Sequence, residues 1–315
     1  MKHLLSIEAL PTAKFDEVFA LARELKATRG RSAEHPLRHK TWGMIFAKSS
    51  TRTRVSFEVG IRELGGDVVF MNAGDIQLGR GEPIADTART MGRMLHGIVI
   101  RTFKQKDVED FAHWSNIPTI NALTDDAHPC QILTDIFTFQ EKRGSIKGRT
   151  VAFIGDGACN VPLSWVFAAA RVGFRLRIAS PEKYLPSKTF VDRARAIATK
   201  EKTGGTIEFA SSVADAAKDA DLLYTDTLVS MGKESEEAQR LKDFKGYQIN
   251  ADVVKRAKKD ALVMHCLPAY VGHEITKDVF ETNAETIFDE TENRLHVQKA
   301  ILTLVAKAWG RASHE

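Results

Sequence analysis

Trp42-Gly43-Met44-Ile45-Phe46-Ala47-Lys48-Ser49-Ser50-Thr51-Arg52-Thr53-Arg54 is the stretch on which the fold of this chain turns. Its first six residues read as a strand. The residues after it read as a helix, with Val55, Val59 and Leu64 on an apolar face that Phe57 and Ile61 widen. A strand therefore hands over to a helix at residues 50–54. The first turn of a helix carries unpaired N–H groups and a partial positive charge, and both favour an anion. Ser50, Thr51 and Thr53 add hydroxyl donors, and Arg52 adds a planar fork suited to phosphate. Capping alone needs one hydroxyl. Three hydroxyls interleaved with two arginines predict a phosphate or similar oxyanion site.

Outward from this stretch, short β-rich runs alternate with longer amphipathic ones. Strands are expected at 41–47, 67–71, 97–102, 118–121, 150–154, 174–179, 206–209, 221–225, 262–265 and 286–288. Helical patterns fill most of the gaps, for example 15–28 with Phe15, Val18, Phe19, Ala22 and Leu25 on one stripe. This alternation predicts an α/β protein with doubly wound parallel sheets. A chain of 315 residues suggests two domains. A break near 142–148 puts the boundary at 1–147 and 148–290. A final helix, 291–315, would pack back on the first domain.

The hydrophobic fraction is 43 % and the charged fraction 27 %, as in globular proteins, and the net charge is +4. Lys and Arg are dispersed, so no nucleic-acid surface is expected. Cys130, Cys159 and Cys266 form no CxxC or metal-ligand spacing, and an odd count implies no disulfide framework. The start, residues 1–8, is too poor in apolar residues for a signal peptide. No apolar run reaches the roughly 18 residues a membrane span needs. The expectation is a reduced, cytoplasmic protein.

Three further segments sit where strands end. Gly155-Asp156-Gly157 follows residues 150–154 like a dinucleotide fingerprint. However, Asn160 occupies the third glycine position, and Arg177 stands where a ribose-binding acid belongs, which argues against a nicotinamide cofactor. Thr225-Asp226-Thr227-Leu228-Val229-Ser230-Met231-Gly232 offers Asp226 to an ammonium and Ser230 to a carboxylate; a capped turn is the plainer reading. Met264-His265-Cys266-Leu267-Pro268 suggests a Cys–His nucleophile. Neighbours on an extended chain face opposite ways, though, so Cys266 is expected to orient a polar substrate instead. Separately, His128-Pro129-Cys130-Gln131 opens an apolar helix, with proline in its first turn. His128 and Gln131 can donate to a carbonyl and accept from an amide, or simply cap the helix.

Taken in order, Ser50-Thr51-Arg52-Thr53-Arg54, Arg101, His128-Pro129-Cys130-Gln131, Asp226 with Ser230-Met231-Gly232, and His265-Cys266-Leu267-Pro268 resemble the aspartate/ornithine transcarbamylase family over about residues 40–310. The first motif marks carbamoyl phosphate in both branches. The last two point to the ornithine branch. The resemblance implies two domains joined by two interdomain helices. It implies that Ser50, Thr51, Arg52 and Thr53 hold the phosphate and that Arg101 bridges phosphate and carbamoyl. It has His128 and Gln131 polarise the carbamoyl group, and Arg294 contact its oxygen. Asn160, Asp226, Ser230 and Met231 would bind the α-amino and α-carboxylate groups of L-ornithine. Cys266 and Leu267 would line the reacting centre. Gln77 would complete the phosphate site of a neighbour in a homotrimer with shared active sites. No metal or cofactor is implied. The sequence departs from the family at Leu228, where tryptophan is usual, in a longer 155–160 turn, and in Ala269-Tyr270-Val271-Gly272, which lacks the arginine often seen after the His-Cys-Leu-Pro stretch. All three departures lie on the amine side. The rival acceptors are therefore putrescine, lysine or an N-acylated ornithine, and the rival class is an inactive homologue acting as a binding scaffold.

Overall fold

The computed structural model describes residues 1–31, 34–230 and 232–312. In chain order the first elements are α1 (Ala13–Ala27), β1 (Thr41–Phe46), α2 (Thr51–Glu63), β2 (Asp67–Asn72), α3 (Ile84–Met91), β3 (Gly97–Arg101), α4 (Gln105–Ser115) and β4 (Thr119–Leu123). Their strands form one parallel sheet in the order β2-β1-β3-β4. β3 and β4 are buried along their whole length, as strands covered on both faces must be. Ile45, Ile98, Ile100, Val108 and Phe111 fill the core on one side of this sheet.

α5 (Pro129–Arg143) leads to β5 (Thr150–Ile154), α6 (Asn160–Val172), β6 (Arg175–Ala179), α7 (Lys188–Glu201), β7 (Thr206–Phe209), α8 (Val213–Ala217), β8 (Leu222–Thr225), α9 (Glu237–Asp243), α10 (Ala251–Val254), β9 (Leu262–His265), α11 (Lys277–Thr282) and α12 (Ala284–Ala312). The second sheet, also parallel, runs β7-β6-β5-β8-β9. Its core includes Ala152, Ile154, Leu223, Val263 and Ile275.

The chain divides into two units, Met1–Leu133 with Asn293–Glu315, and Thr134–Glu292. Helices α5 and α12 each contribute residues to both. The α/β class and the doubly wound parallel sheets expected from the alternation are present. Among the described residues no helix is long and apolar enough to cross a membrane.

Two expectations fail. Residues 286–288 are not a strand; they lie in the first turns of α12. The apolar pair Ile287-Phe288 is too short to fix a period by itself. The long helical repeat that follows absorbs it, burying Ile287 and leaving Phe288 55 % exposed. In α2 the buried face is Thr53, Ser56, Phe57, Gly60 and Ile61, whereas Val55 is 55 % exposed. Polar Thr53 and Ser56 lie inward because α12 approaches here. A Cβ on Gly60 would sit 3.2 Å from the Lys299 side chain, whose ammonium meets Glu63 at 2.7 Å.

Candidate active site

Each sheet reverses its winding once. In the first, chain order turns between β1 and β3; in the second, between β5 and β8. At such a point the loops leaving adjacent strands diverge and open a crevice beyond their carboxyl ends. The hydroxyl–arginine stretch leaves β1 and Arg101 ends β3. The 155–160 turn leaves β5 and the Asp226 loop leaves β8. Topology alone thus puts the expected residues at two crevices, one per unit.

In the first unit Ser50 caps α2, its hydroxyl accepting from Thr53 N at 3.3 Å. Thr51 is exposed and Arg52 half-buried in the first turn, while Thr53 is buried. Arg294 on α12 ties this turn to α5. It donates to Thr53 Oγ1 at 2.8 Å and to Gln131 Oε1 at 2.6 Å. Arg101, His128, Gln131 and Arg294 are all buried. Burial first, then the Arg294 and Arg101 guanidiniums, hold His128 well below its ordinary value, so the imidazole is neutral. Burial pushes the Cys130 thiol up to about 12, and it donates to Asn121 O at 3.4 Å, so it is inert. The structure therefore joins Thr53, Gln131 and Arg294 into one hydrogen-bonded cluster, with Arg101 and Arg294 both acting on His128. Gln77 is exposed at the start of a 3-10 turn, Gln77–Arg80. Lys48, to which the sequence reading gave no role, is buried with its ammonium on Asp125 and over the Phe103 ring at 4.4 Å. Its place just before the motif was the available signal.

In the second unit Gly155, the residue after β5, sits at φ 138°, a backbone setting that suits glycine. Asn160 opens α6. Asp226 is buried and accepts from the Cys266 thiol at 2.9 Å and from Thr227 N at 2.7 Å; Cys159 Sγ lies 3.9 Å from its other oxygen. Burial, then the Asp226 charge, pushes the Cys266 thiol well above its ordinary value. Cys266 is thus a protonated donor, not a thiolate nucleophile. His265 faces elsewhere: Nε2 meets Glu274 at 3.2 Å and Nδ1 accepts from Leu267 N at 2.9 Å. One donor atom from each of Asp226, His265 and Cys266 falls within 4.8 Å of the others. Both imidazole nitrogens are already engaged, so a cation there would have to break one of those bonds. Ser230 is half-buried and its carbonyl accepts from Lys233 N at 2.9 Å. Met231 lies outside the described residues.

Arg240, also unforeseen, clamps this half. Buried on α9, it donates to Leu228 O at 2.8 Å, pairs with Glu236 at 3.2 Å, and forms an ion pair with Asp156. It thereby ties the loop after β8 to the turn after β5.

Comparison with known proteins matches both halves. Residues 2–141 match the carbamoyl-P binding domain of aspartate/ornithine carbamoyltransferase, and residues 147–305 match its Asp/Orn binding domain. The chain belongs to the aspartate/ornithine carbamoyltransferase family. It is 50 % identical to an ornithine carbamoyltransferase of Akkermansia muciniphila, across 98 % of this chain and 99 % of that one. The anabolic ornithine carbamoyltransferase of Campylobacter jejuni superposes with a TM-score of 0.92 at 40 % identity, covering 98 % of this chain and 100 % of the other. The Pyrococcus furiosus ornithine carbamoyltransferase gives 0.91 at 42 %, covering 97 % of each. The two family domains correspond to the two crevices. The carbamoyl-P match contains the α2 N-terminus, Arg101, His128 and Gln131, and the Asp/Orn match contains the acidic Asp226 site together with Arg294.

Proposed function

We propose that this protein transfers the carbamoyl group of carbamoyl phosphate to the δ-amine of L-ornithine, giving L-citrulline and phosphate. The observation that carries it is the cluster in which Arg294 bonds both Thr53 and Gln131 beside a neutral, buried His128. That cluster combines fixed cations with donors and acceptors suited to a carbamoyl phosphate. Residues 1–147, with the helix 291–315, form the carbamoyl phosphate domain. Residues 148–290 form the ornithine domain.

Ser50, Thr51, Arg52 and Thr53, with the α2 N-terminus, hold the phosphate. Arg101 spans phosphate and carbamoyl. Gln131 accepts from the carbamoyl amide, and Arg294 and the neutral His128 donate to its oxygen. The δ-amine of ornithine attacks the carbamoyl carbon as the free base. Negative charge gathers on the carbamoyl oxygen, where one preorganised donor is worth about 10²–10³-fold in rate. The C–O bond then breaks, the phosphate leaves with the electron pair, and the proton shed by nitrogen goes to that phosphate. Asp226 receives the α-ammonium, while Asn160, Ser230 and Met231 receive the α-carboxylate. Cys266 and Leu267 line the reacting centre. No metal or cofactor takes part.

The protein works as a cytoplasmic homotrimer in arginine biosynthesis, with Gln77 completing a neighbour's phosphate site. The anabolic label of the C. jejuni relative supports the biosynthetic direction.

One assay tests this reading: citrulline formation by the purified protein, run beside putrescine, lysine and N-acylated ornithine. Citrulline should form and the other amines should react poorly. Leu228 is buried, with a methyl 3.5 Å from where a Gly155 Cβ would sit, so it fills part of the space an indole would take. Preference for another amine would move the assignment to that acceptor. No product from any amine would leave the scaffold reading. Asp226→Asn should weaken ornithine binding in calorimetry while sparing carbamoyl phosphate.

A further inference from the structure

Glu290 sits at an open sheet edge, beside the start of the amine half-site. β9 is the last strand of its sheet, so N–H groups on its outer side have no strand to donate to. Leu262 N donates inward to Asp221 O at 3.0 Å, and alternation puts His265 N on the outer side. Glu290 takes that donor: His265 N donates to Oε2 at 3.1 Å. The Tyr224 hydroxyl donates to Oε1 at 3.3 Å. Asp135 hydrogen-bonds the same carboxyl, and Glu290, Asp135, Tyr224 and His265 are all buried. Burial, then the Asp135 charge, pushes Glu290 well above the ordinary carboxylate range, so the two carboxyls share a proton. A buried group with three partners is held in one orientation.

The next residue after His265 is Cys266, whose thiol meets Asp226 at 2.9 Å. Asp226 in turn follows Thr225, which pairs with His265 across the β8–β9 ladder. Glu290 therefore grips both strands just before each delivers its site residue, Asp226 or Cys266.

We infer that Glu290, braced by Asp135, is a positioning residue of the amine half-site: by holding Tyr224 on β8 and His265 on β9, it fixes the Cys266 thiol against Asp226. The kinetic arm of its test rests on the proposed carbamoyl transfer; the chemical arm does not.

Three variants separate the possibilities. Glu290→Gln keeps an acceptor for His265 N and a donor toward Asp135. Glu290→Leu removes both at similar volume. Tyr224→Phe removes one hydroxyl. Glu290→Leu should lower kcat/KM for ornithine roughly 100-fold, the size expected for a reacting group displaced by about 1 Å. Its calorimetric affinity for carbamoyl phosphate should stay within about twofold, and Glu290→Gln should retain activity within about threefold. Alkylation of Cys266 by iodoacetamide, followed by peptide mass spectrometry, should quicken in Glu290→Leu and stay at the parental rate in Glu290→Gln. If Glu290→Leu does not fold, Tyr224→Phe carries the test with a smaller shift of the same pattern. Equal losses for both substrates, or Cys266 alkylation unchanged in Glu290→Leu and Tyr224→Phe, would overturn the inference. A parent protein that forms no citrulline would overturn the carbamoyl transfer reading instead, and the alkylation arm would still decide the role of Glu290.

Discussion

Arg52 lies in the first turn of α2, half-buried among hydroxyls, where helix dipole and guanidinium act on the same anion. Truncating one partner of a desolvated charge pair costs about 2–5 kcal/mol. Arg52→Ala should therefore cut kcat/KM for carbamoyl phosphate by roughly 30-fold to several thousandfold with the melting temperature little changed; steady-state kinetics on the purified variant checks it. His128 makes a prediction about pH. Its folded pKa is held well below the ordinary 6.5, so the unfolded chain binds a proton that the folded chain refuses. The stability it secures is full above that pH and is lost as pH falls from there toward the folded value. His3, lowered to about 4 by burial and Lys2, acts in the same direction. Urea midpoints should fall between about pH 7.5 and 5. His128→Gln should flatten part of that fall, and His3→Gln part of the remainder. An unchanged slope in His128→Gln would mean that its imidazole is charged in the folded protein.

At the scale of elements, the Arg240 clamp joins α9 to two loops that leave different strands. Breaking a buried ion pair by removing one partner costs about 3–5 kcal/mol, because the other charge stays behind. Arg240→Met should lower stability by about that much in chemical denaturation. It should also speed hydrogen exchange at Thr227 and Lys233, whose amides bond within the loop after β8. Slow exchange at both would show that the loop holds itself. This clamp also marks where sequence reading stops. The strands were legible because buried parallel strands are short apolar runs between turn residues. The α2 site was legible because its residues are adjacent in sequence. Ile287-Phe288 misled because two apolar residues carry no period. Val55 misled because the inward face of α2 is set by the approach of α12, which no local pattern records. Arg240 with Asp156 and Glu290 with Tyr224 were invisible for a related reason. Each pair is distant in sequence, and either member alone reads as an ordinary charged or aromatic residue.

At the scale of the molecule, the proposed sharing of sites between subunits is open to a mixing experiment. Arg52→Ala and Gln77→Ala chains should each be nearly inactive. Trimers reassembled from both should regain activity, since some interfaces then pair an intact Arg52 with an intact Gln77. No recovery, once mixed assembly is confirmed by mass, would assign a self-contained site to each chain. The unit that holds the α2 cluster is assembled from the two extremities of the chain, Met1–Leu133 and Asn293–Glu315, with the other unit spliced into its middle. Arg294, which bonds both Thr53 and Gln131, is therefore the last of the cluster's residues to be synthesised. During translation Thr53 and Gln131 wait for it through the whole of the second unit. A premature stop anywhere before codon 294 leaves them without it, so a message cut short yields a polypeptide lacking part of its donor site, however well its sheets have folded.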